Sequence, residues 1–293
     1  NRNMMAKSAA GRAFQRFGTN VRVAGHHLNG TGTSTGSSTL RFPASLPTGA
    51  VKSFSGTNRT DFFTRLYNSP ADNWTPLREA MKRTGDYLMT VDPYLDTPGT
   101  AFNATTNPER SCRQNFHVMM TDGYWNGPNS PIVTGNQDNT SATLPDATSY
   151  TAPMPPYGDT WSSTLADSSF YYWSTDLRSG LTNNVPPNYN DTSGTATQNY
   201  WNPVNDPASW QHMVNFTIGL GIPGTLTKDT TTYNNLVSGA TAWPAPCNGC
   251  TGSNIDDLWH AALNSRGLYF SANNPTELVT AFTEIVNDVA DRI

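Results

Sequence analysis

Apolar positions along this chain switch between a helical and a strand period, and the switching predicts an α/β protein. Met5, Ala9, Ala13 and Phe17 recur at helical spacing over residues 4–17, with Lys7, Arg12 and Arg16 on a basic outer face. Val21 and Val23 open a short strand over 21–28, and 40–46 reads as an edge strand because Pro43 cannot donate to a ladder. Phe62, Phe63 and Leu66 predict a helix over 58–67. Thr75-Pro76-Leu77-Arg78-Glu79 predicts a helix start, with Thr75 as the N-cap, Pro76 at the first helical position and Glu79 in the first turn. Leu77, Ala80, Met81, Thr84 and Leu88 mark its buried stripe. Residues 113–121 form an apolar strand that stops at Thr121-Asp122-Gly123. A helix with an aromatic face follows over 161–177, and 213–222 is a strand buried on both faces. The remainder reads as a short helix over 233–238, a helix over 255–265 and a strand over 268–271, ending in an amphipathic helix over 275–293. Asp256 and Asp257 are placed in the first turn of the 255–265 helix, where they favour its positive end.

Helices alternating with short apolar strands predict an open, mostly parallel sheet covered by helices on both faces. The strands near Val21, Phe116, Phe216 and Tyr269 are expected in that one sheet. Residues 124–158 and 178–207 are rich in Pro, Gly, Asn and Thr and lack periodicity. They are too long for ordinary loops and read as insertions at the edge of a single domain spanning 1–293. As insertions they are expected to lie outside the core and to carry most of the exposed aromatic residues.

Composition narrows the class. Charged residues are 14% of the chain, and Ser, Thr, Asn, Gly and Pro take their place. A neutral, hydroxyl- and amide-rich surface is typical of extracellular proteins. The net charge of −4 with no basic stripe gives no reason to expect nucleic acid. No apolar run approaches the roughly 20 residues that span a bilayer. No signal peptide opens the sequence, so an exported protein would start before Asn1.

The cysteines are Cys112, Cys247 and Cys250. The pair in Cys247-Asn248-Gly249-Cys250 sits in a Pro/Gly loop with no second ligand pair for zinc. In an oxidising compartment it reads as a local disulfide, with a bridge from Cys112 to one of the two as the alternative. His26 and His27 are strand neighbours that point to opposite faces, which argues against a metal pair. His117 reads as a strand residue that packs, and His212 and His260, beside Trp210 and Trp259, as structural hydrogen-bonding residues. No nucleophile, base and orienting group assemble in any motif, so the chain is not read as an enzyme.

Two oxygen ligands converge. Thr75 opens a helix and Asp122 ends a strand, and in an α/β sheet both face the crevice at the C-terminal edge. A hydroxyl and a carboxylate suit a hard cation such as Mg²⁺.

The order of elements, with Trp74-Thr75-Pro76-Leu77 opening a helix and an apolar strand ending in Thr-Asp-Gly, resembles a von Willebrand factor A-like domain, a Rossmann-like fold. Four further blocks, at 115–126, 172–178, 210–221 and 255–271, resemble the N-terminal region of PilY/PilC-type proteins, the adhesins and biogenesis factors of the type IV pilus tip. The resemblance implies a metal-ion-dependent adhesion site in which Thr75 and Asp122 are ligands to Mg²⁺. It also implies an Asp-x-Ser-x-Ser loop after a first, central strand. That motif is absent from the sequence, so the domain is expected to lack its first strand and the site its main ligands. The implied partners are minor pilins of the tip, a host or surface ligand, and a C-terminal propeller domain that this chain does not contain. The implied location is the extracellular pilus tip. A structural tip subunit with a vestigial metal site is the alternative, and a secreted hydrolase using Asp122 a more remote one.

Overall fold

The structure is a computed structural model that describes residues 2–29, 42–43, 46–70, 74–126 and 131–293. A parallel sheet of order β3-β6-β7 is its centre, formed by Asn115–Thr121, Met213–Leu220 and Tyr269–Ala272. Val118 lies opposite Phe216, and Ile218 opposite Phe270. All eight residues of β6 are buried, as a strand covered on both faces requires. Helices α1 (Arg2–Phe14) and α8 (Pro275–Arg292) cover one face. Ala6, Ala9, Ala10 and Ala13 allow α1 to lie close against Leu278, Phe282 and Ile285 of α8 and the β6 side chains.

The opposite face carries α3 (Leu77–Leu88), α4 (Leu165–Ser174) and α7 (Gly252–Asn264). Every residue of α7 from Asn254 to Asn264 is buried, so this helix is core on all sides. α4 starts in a capping box: the Thr164 side chain accepts from Asp167 N, and the Asp167 carboxylate accepts from Thr164 N. Where α3 crosses α4, a Cβ at Gly85 would stand 2.2 Å from the Tyr172 ring, and the absence of a side chain sets that approach. Short helices α5 (Ala196–Tyr200) and α6 (Thr230–Val237) and the ribbon β4–β5 (Ala142–Thr143 with Ser149–Tyr150) complete this side.

Three expectations need correction. The strand near Val21 does not join the sheet. β1 is only Arg22–Val23 and pairs antiparallel with β2, Lys52–Ser53, in a separate ribbon beside α2 (Gly56–Asn68). Two alternating valines are too short a signal to choose between a sheet and a ribbon. The edge strand expected over 40–46 falls largely outside the described residues, and Phe42 and Pro43 are not in a strand.

The insertions are the second correction. Much of the second insertion is exposed, as expected, but each insertion sends buried residues into the core. Tyr150, Tyr157 and Trp125 are buried, while Tyr67, Trp74, Phe102 and Trp161, all outside the insertions, are exposed; only Tyr189 fits the expectation. Tyr150 packs its ring against Phe170 of α4, tilted by 47° at 4.7 Å between centroids. The Arg266 guanidinium lies between the Tyr157 and Trp173 rings, 4.0 Å from each. His260 of α7 holds the first insertion through Nε2 to the Tyr157 carbonyl at 2.6 Å and Nδ1 to the Asp159 carboxylate at 3.4 Å, with Trp243 stacked on its ring at 4.3 Å. The second insertion ends on buried Asp206, which accepts from Trp173 Nε1 at 3.1 Å, His212 Nε2 at 3.0 Å and Arg292 Nη1 at 3.2 Å. Buried polar groups need partners, and these segments supply them to the core helices.

The third correction concerns Asp256 and Asp257. α7 begins at Gly252, so neither lies in its first turn; each caps a neighbouring segment instead. Asp256 accepts from Thr225 N at 2.9 Å and Leu226 N at 3.1 Å.

Burial pushes the Asp206 carboxyl up, but His212, Arg292 and the Trp173 hydrogen bond outweigh it and bring it to about 2. Its stabilising effect is therefore present above the ordinary value near 3.8 and lost as pH falls through about 2. Asp206→Ala leaves Arg292 and His212 facing an empty buried site and is expected to cost about 3–5 kcal/mol, read as a lowered urea midpoint at neutral pH. A loss below about 1 kcal/mol would show that the network does not anchor the second insertion.

Candidate functional site

Thr75 lies beside the turn that carries Asp122, at the C-terminal edge of the sheet. A Cβ built on Gly123 would stand 3.5 Å from Thr75 Oγ1, so the hydroxyl faces the turn that carries Asp122. The two loops are also tied through their backbones. Thr75 N donates to Asn126 Oδ1 at 2.9 Å, and Asn126 N donates to the Thr75 carbonyl at 3.0 Å.

Thr75 is not the helix cap that its sequence context predicts. α3 begins at Leu77, its N-cap position is Pro76, and no side chain caps it. The Thr75 hydroxyl and the exposed Asp122 carboxylate form no hydrogen bond or ion pair among the described residues. Asp122 is free because its neighbour makes the turn: Thr121 Oγ1 donates to the Gly123 carbonyl at 2.9 Å and accepts from Gly123 N at 3.1 Å. The edge also receives the start of α1. Arg2 donates through Nη1 to the Asp122 carbonyl at 3.1 Å and through Nη2 to the Gly221 carbonyl at 3.3 Å.

Below the loop lies a support that the sequence reading missed. Trp125 is buried, with the Arg78 guanidinium 4.1 Å over its ring. Its Nε1 donates to Asp257 Oδ2 at 2.9 Å. The same carboxylate accepts from Leu165 N and Ala166 N, both at 3.0 Å, at the start of α4. Asn254 Nδ2 donates to the Trp125 carbonyl at 3.1 Å and to the Cys247 carbonyl at 2.8 Å. The spacing of Asp122, Trp125 and Asn126 was the available signal: a large indole just after a strand-ending turn requires a buried partner for its N–H.

Cys247 and Cys250 are bridged, with Cα atoms 5.0 Å apart, and Cys112 is an exposed free thiol. Two of the other histidines are committed to the scaffold, His117 Nδ1 to Asn215 Oδ1 at 2.8 Å and His212 to Asp206.

The donor set fits a hard cation in kind and falls short in number. Thr75 and Asp122 supply two oxygens with nothing else bound to them, and an octahedral Mg²⁺ site takes six. Among the described residues no group of three or more His, Cys, Asp or Glu is placed to hold a metal ion.

Comparison with known proteins places the chain. It aligns at 41% identity over 301 residues with the type IV pilus biogenesis factor PilY1 of Pseudomonas aeruginosa strain UCBPP-PA14, covering 100% of this chain and 25% of the relative. The chain is related to PilY1 throughout its length. The PilY1 of strain PAK gives 39% identity over 303 residues, with 99% of this chain and 25% of the relative covered. The chain therefore spans about a quarter of the length of the PilY1 relatives it matches. No family model matches the chain, and no solved structure matches it. Among the described residues no helix is long and apolar enough to cross a membrane.

Burial raises the Asp257 carboxyl to about 6, although its bonds from Leu165 N, Ala166 N and Trp125 and the nearby His260 all pull it down. A raised value means that the group's contribution is fully present below its ordinary value near 3.8 and lost as pH rises through about 6. The decline across that window is expected to be on the order of 2–3 kcal/mol. Urea unfolding at a series of pH values should show it in the native chain and a flatter profile in Asp257→Asn. An equal decline in both proteins would assign the pH dependence to other groups.

Proposed function

We propose that this chain is an extracellular, non-catalytic domain of a type IV pilus biogenesis factor, acting in adhesion and assembly at the pilus tip. Its fold is read as von Willebrand factor A-like, and the Thr75–Asp122 edge as part of a metal-ion-dependent adhesion site. The relatives named PilY1 support the pilus role. The observation that supports the site is a Thr75 hydroxyl facing the turn of Asp122, with neither side chain hydrogen-bonded among the described residues, at the C-terminal edge of a parallel sheet, where such sheets take their ligands.

Two further features support the reading. β3 is apolar along Phe116, Val118, Met119 and Met120, yet nothing among the described residues pairs with its outer edge. A bare strand edge of seven residues, four of them apolar, is a liability that folded proteins cover. A further parallel strand there would leave the sheet at the edge that holds Thr75 and Asp122. α1 also starts at that edge, so a loop leading from such a strand into α1 passes the site. An Asp-x-Ser-x-Ser loop in that position brings the missing oxygens. With such a loop, Thr75 and Asp122 would help to hold Mg²⁺, which would supply positive charge to attract a carboxylate of the ligand. Trp74, 65% exposed beside Thr75, offers an aromatic face to the same ligand.

Calorimetry on the full-length protein tests the site. Asp122→Ala is expected to abolish Mg²⁺ binding, because the carboxylate supplies counter-charge. Thr75→Ala is expected to weaken it by about tenfold, the cost of one neutral ligand. Mg²⁺ binding unchanged in Asp122→Ala refutes the adhesion site. Absence of Mg²⁺ binding in the unmodified protein favours the structural tip subunit.

A further inference from the structure

Formal charge is segregated along this chain in a way that the total of −4 conceals. Residues 1–68 carry nine Arg and Lys against a single acid, Asp61, a net of +8, which leaves −12 on residues 69–293. The described part of the basic segment forms one side of the molecule. α1 packs on α8, α2 packs on α1, and Phe54 beside the β1–β2 ribbon meets Phe62 of α2 at 5.3 Å.

Lys7, Arg12, Arg16, Lys52 and Arg59 form no ion pair among the described residues. Lys7 donates to the Tyr67 carbonyl at 2.8 Å, and Arg59 to the Phe17 and Gln15 carbonyls, both at 2.7 Å. Those bonds fix two cations at the junction of α1 and α2 without cancelling their charge. Arg12 in the last turn of α1 and Arg16 in the turn that follows the helix are both exposed, two like charges at one end of α1. Beside Arg12 a groove of about 210 Å³ runs between α1 and the start of α8, walled by Met5, Ala9 and Val279.

We propose that the exposed face of α1 and the turn that follows it dock a carboxylate-rich segment of a protein partner, with acidic side chains on Arg12 and Arg16 and a neighbouring apolar side chain in the groove. Charge complementarity selects an acidic partner. The side-chain chemistry selects a protein over an anionic bilayer. Seven of the nine cations are Arg, whose planar fork takes a carboxylate through two parallel hydrogen bonds. Tyr67 is 50% exposed and α2 buries none of its residues, so Arg and aromatic side chains share this side as they do in protein interfaces. The groove fits one aliphatic side chain and does not extend into the apolar strip that a membrane-lying helix presents.

The test uses the full-length protein and two labelled probes, a Glu-rich peptide with one central Leu and the same peptide with Ser in its place, read by fluorescence anisotropy. The Leu peptide is expected to bind more tightly than the Ser peptide, and both to weaken as salt is added. Arg12→Glu/Arg16→Glu is expected to weaken Leu-peptide binding by at least about tenfold. Arg12→Gln/Arg16→Gln, a milder change should the reversed pair disturb folding, is expected to give a smaller loss at an unchanged thermal midpoint. Lys82→Glu serves as control, since Lys82 is already paired with Asp86 at 2.7 Å, and should leave binding unchanged. Unchanged affinity in both double variants, or equal affinity for the two peptides, overturns the proposal. So does tighter binding to phosphatidylglycerol vesicles with the same sensitivity to Arg12 and Arg16, which makes the face a membrane contact. Self-association that the reversed pair abolishes overturns it in favour of a second copy of the chain.

Discussion

Burial of β6 on both faces is the constraint from which the rest of this fold follows. The strand is paired on both edges and covered by α1 and α8 on one side and by α4 and α7 on the other. Two of its side chains are nevertheless polar, and each must be satisfied inside the core. Thr217 Oγ1 donates to the Leu258 carbonyl of α7 at 2.7 Å. Asn215 donates through Nδ2 to Ser169 Oγ of α4 at 2.8 Å and meets His117 of β3 through Oδ1. Its backbone N–H donates to Ser265 Oγ at 2.8 Å. These bonds fix α4 and α7 against the strand in one register, whereas apolar packing alone tolerates small slides. On the opposite face β6 makes no such bonds among the described residues, and packing there uses the alanine stripe of α1 and the aliphatic stripe of α8.

Much of this was legible because it rests on periodicity. The strands around Phe116, Phe216 and Tyr269 and the helices around Leu77, Ile255 and Leu278 occur within a few residues of their expected bounds. They are long or strongly patterned segments, where burial dictates the period. The failures have a different cause. Val21 and Val23 alternate over two positions only, too few to say which edge they pair with. Asp256 and Asp257 look like first-turn acids of a helix, but the helix starts earlier and both carboxylates cap segments far away in sequence. Local propensity contains no information about such partners. The insertions misled for the same reason. Their Pro, Gly and Asn content reads as solvated loop, while Tyr150, Tyr157 and Asp206 are anchors whose value appears only against Phe170, Arg266 and Arg292.

That Thr75 and the turn of Asp122 share one edge was expected from topology, since a helix start and a strand end lie at the same edge of an α/β sheet. The sequence could not show what the two residues are spared from doing. Strand-ending Asp residues commonly fold back onto their own backbone, and a Thr before Pro commonly caps a helix. Here Thr121 makes the turn, Pro76 takes the N-cap position, and Asp257 caps α4 from the other side of Trp125.

This division of labour has a physical consequence for the edge. The backbone around Thr75 and Asp122 is set by the Asn126 exchange, by Trp125 between Arg78 and Asp257, and by Asn254. None of those contacts uses the two side chains themselves. The backbone of both loops is fixed by these contacts, so a ligand arriving at the edge spends little of its binding free energy on ordering them. Any device that moved Trp125 would shift Thr75 and Asp122 together, because both loops hang from the same indole. The solvent-facing pair is free to bind because the buried acid beneath it is fully committed.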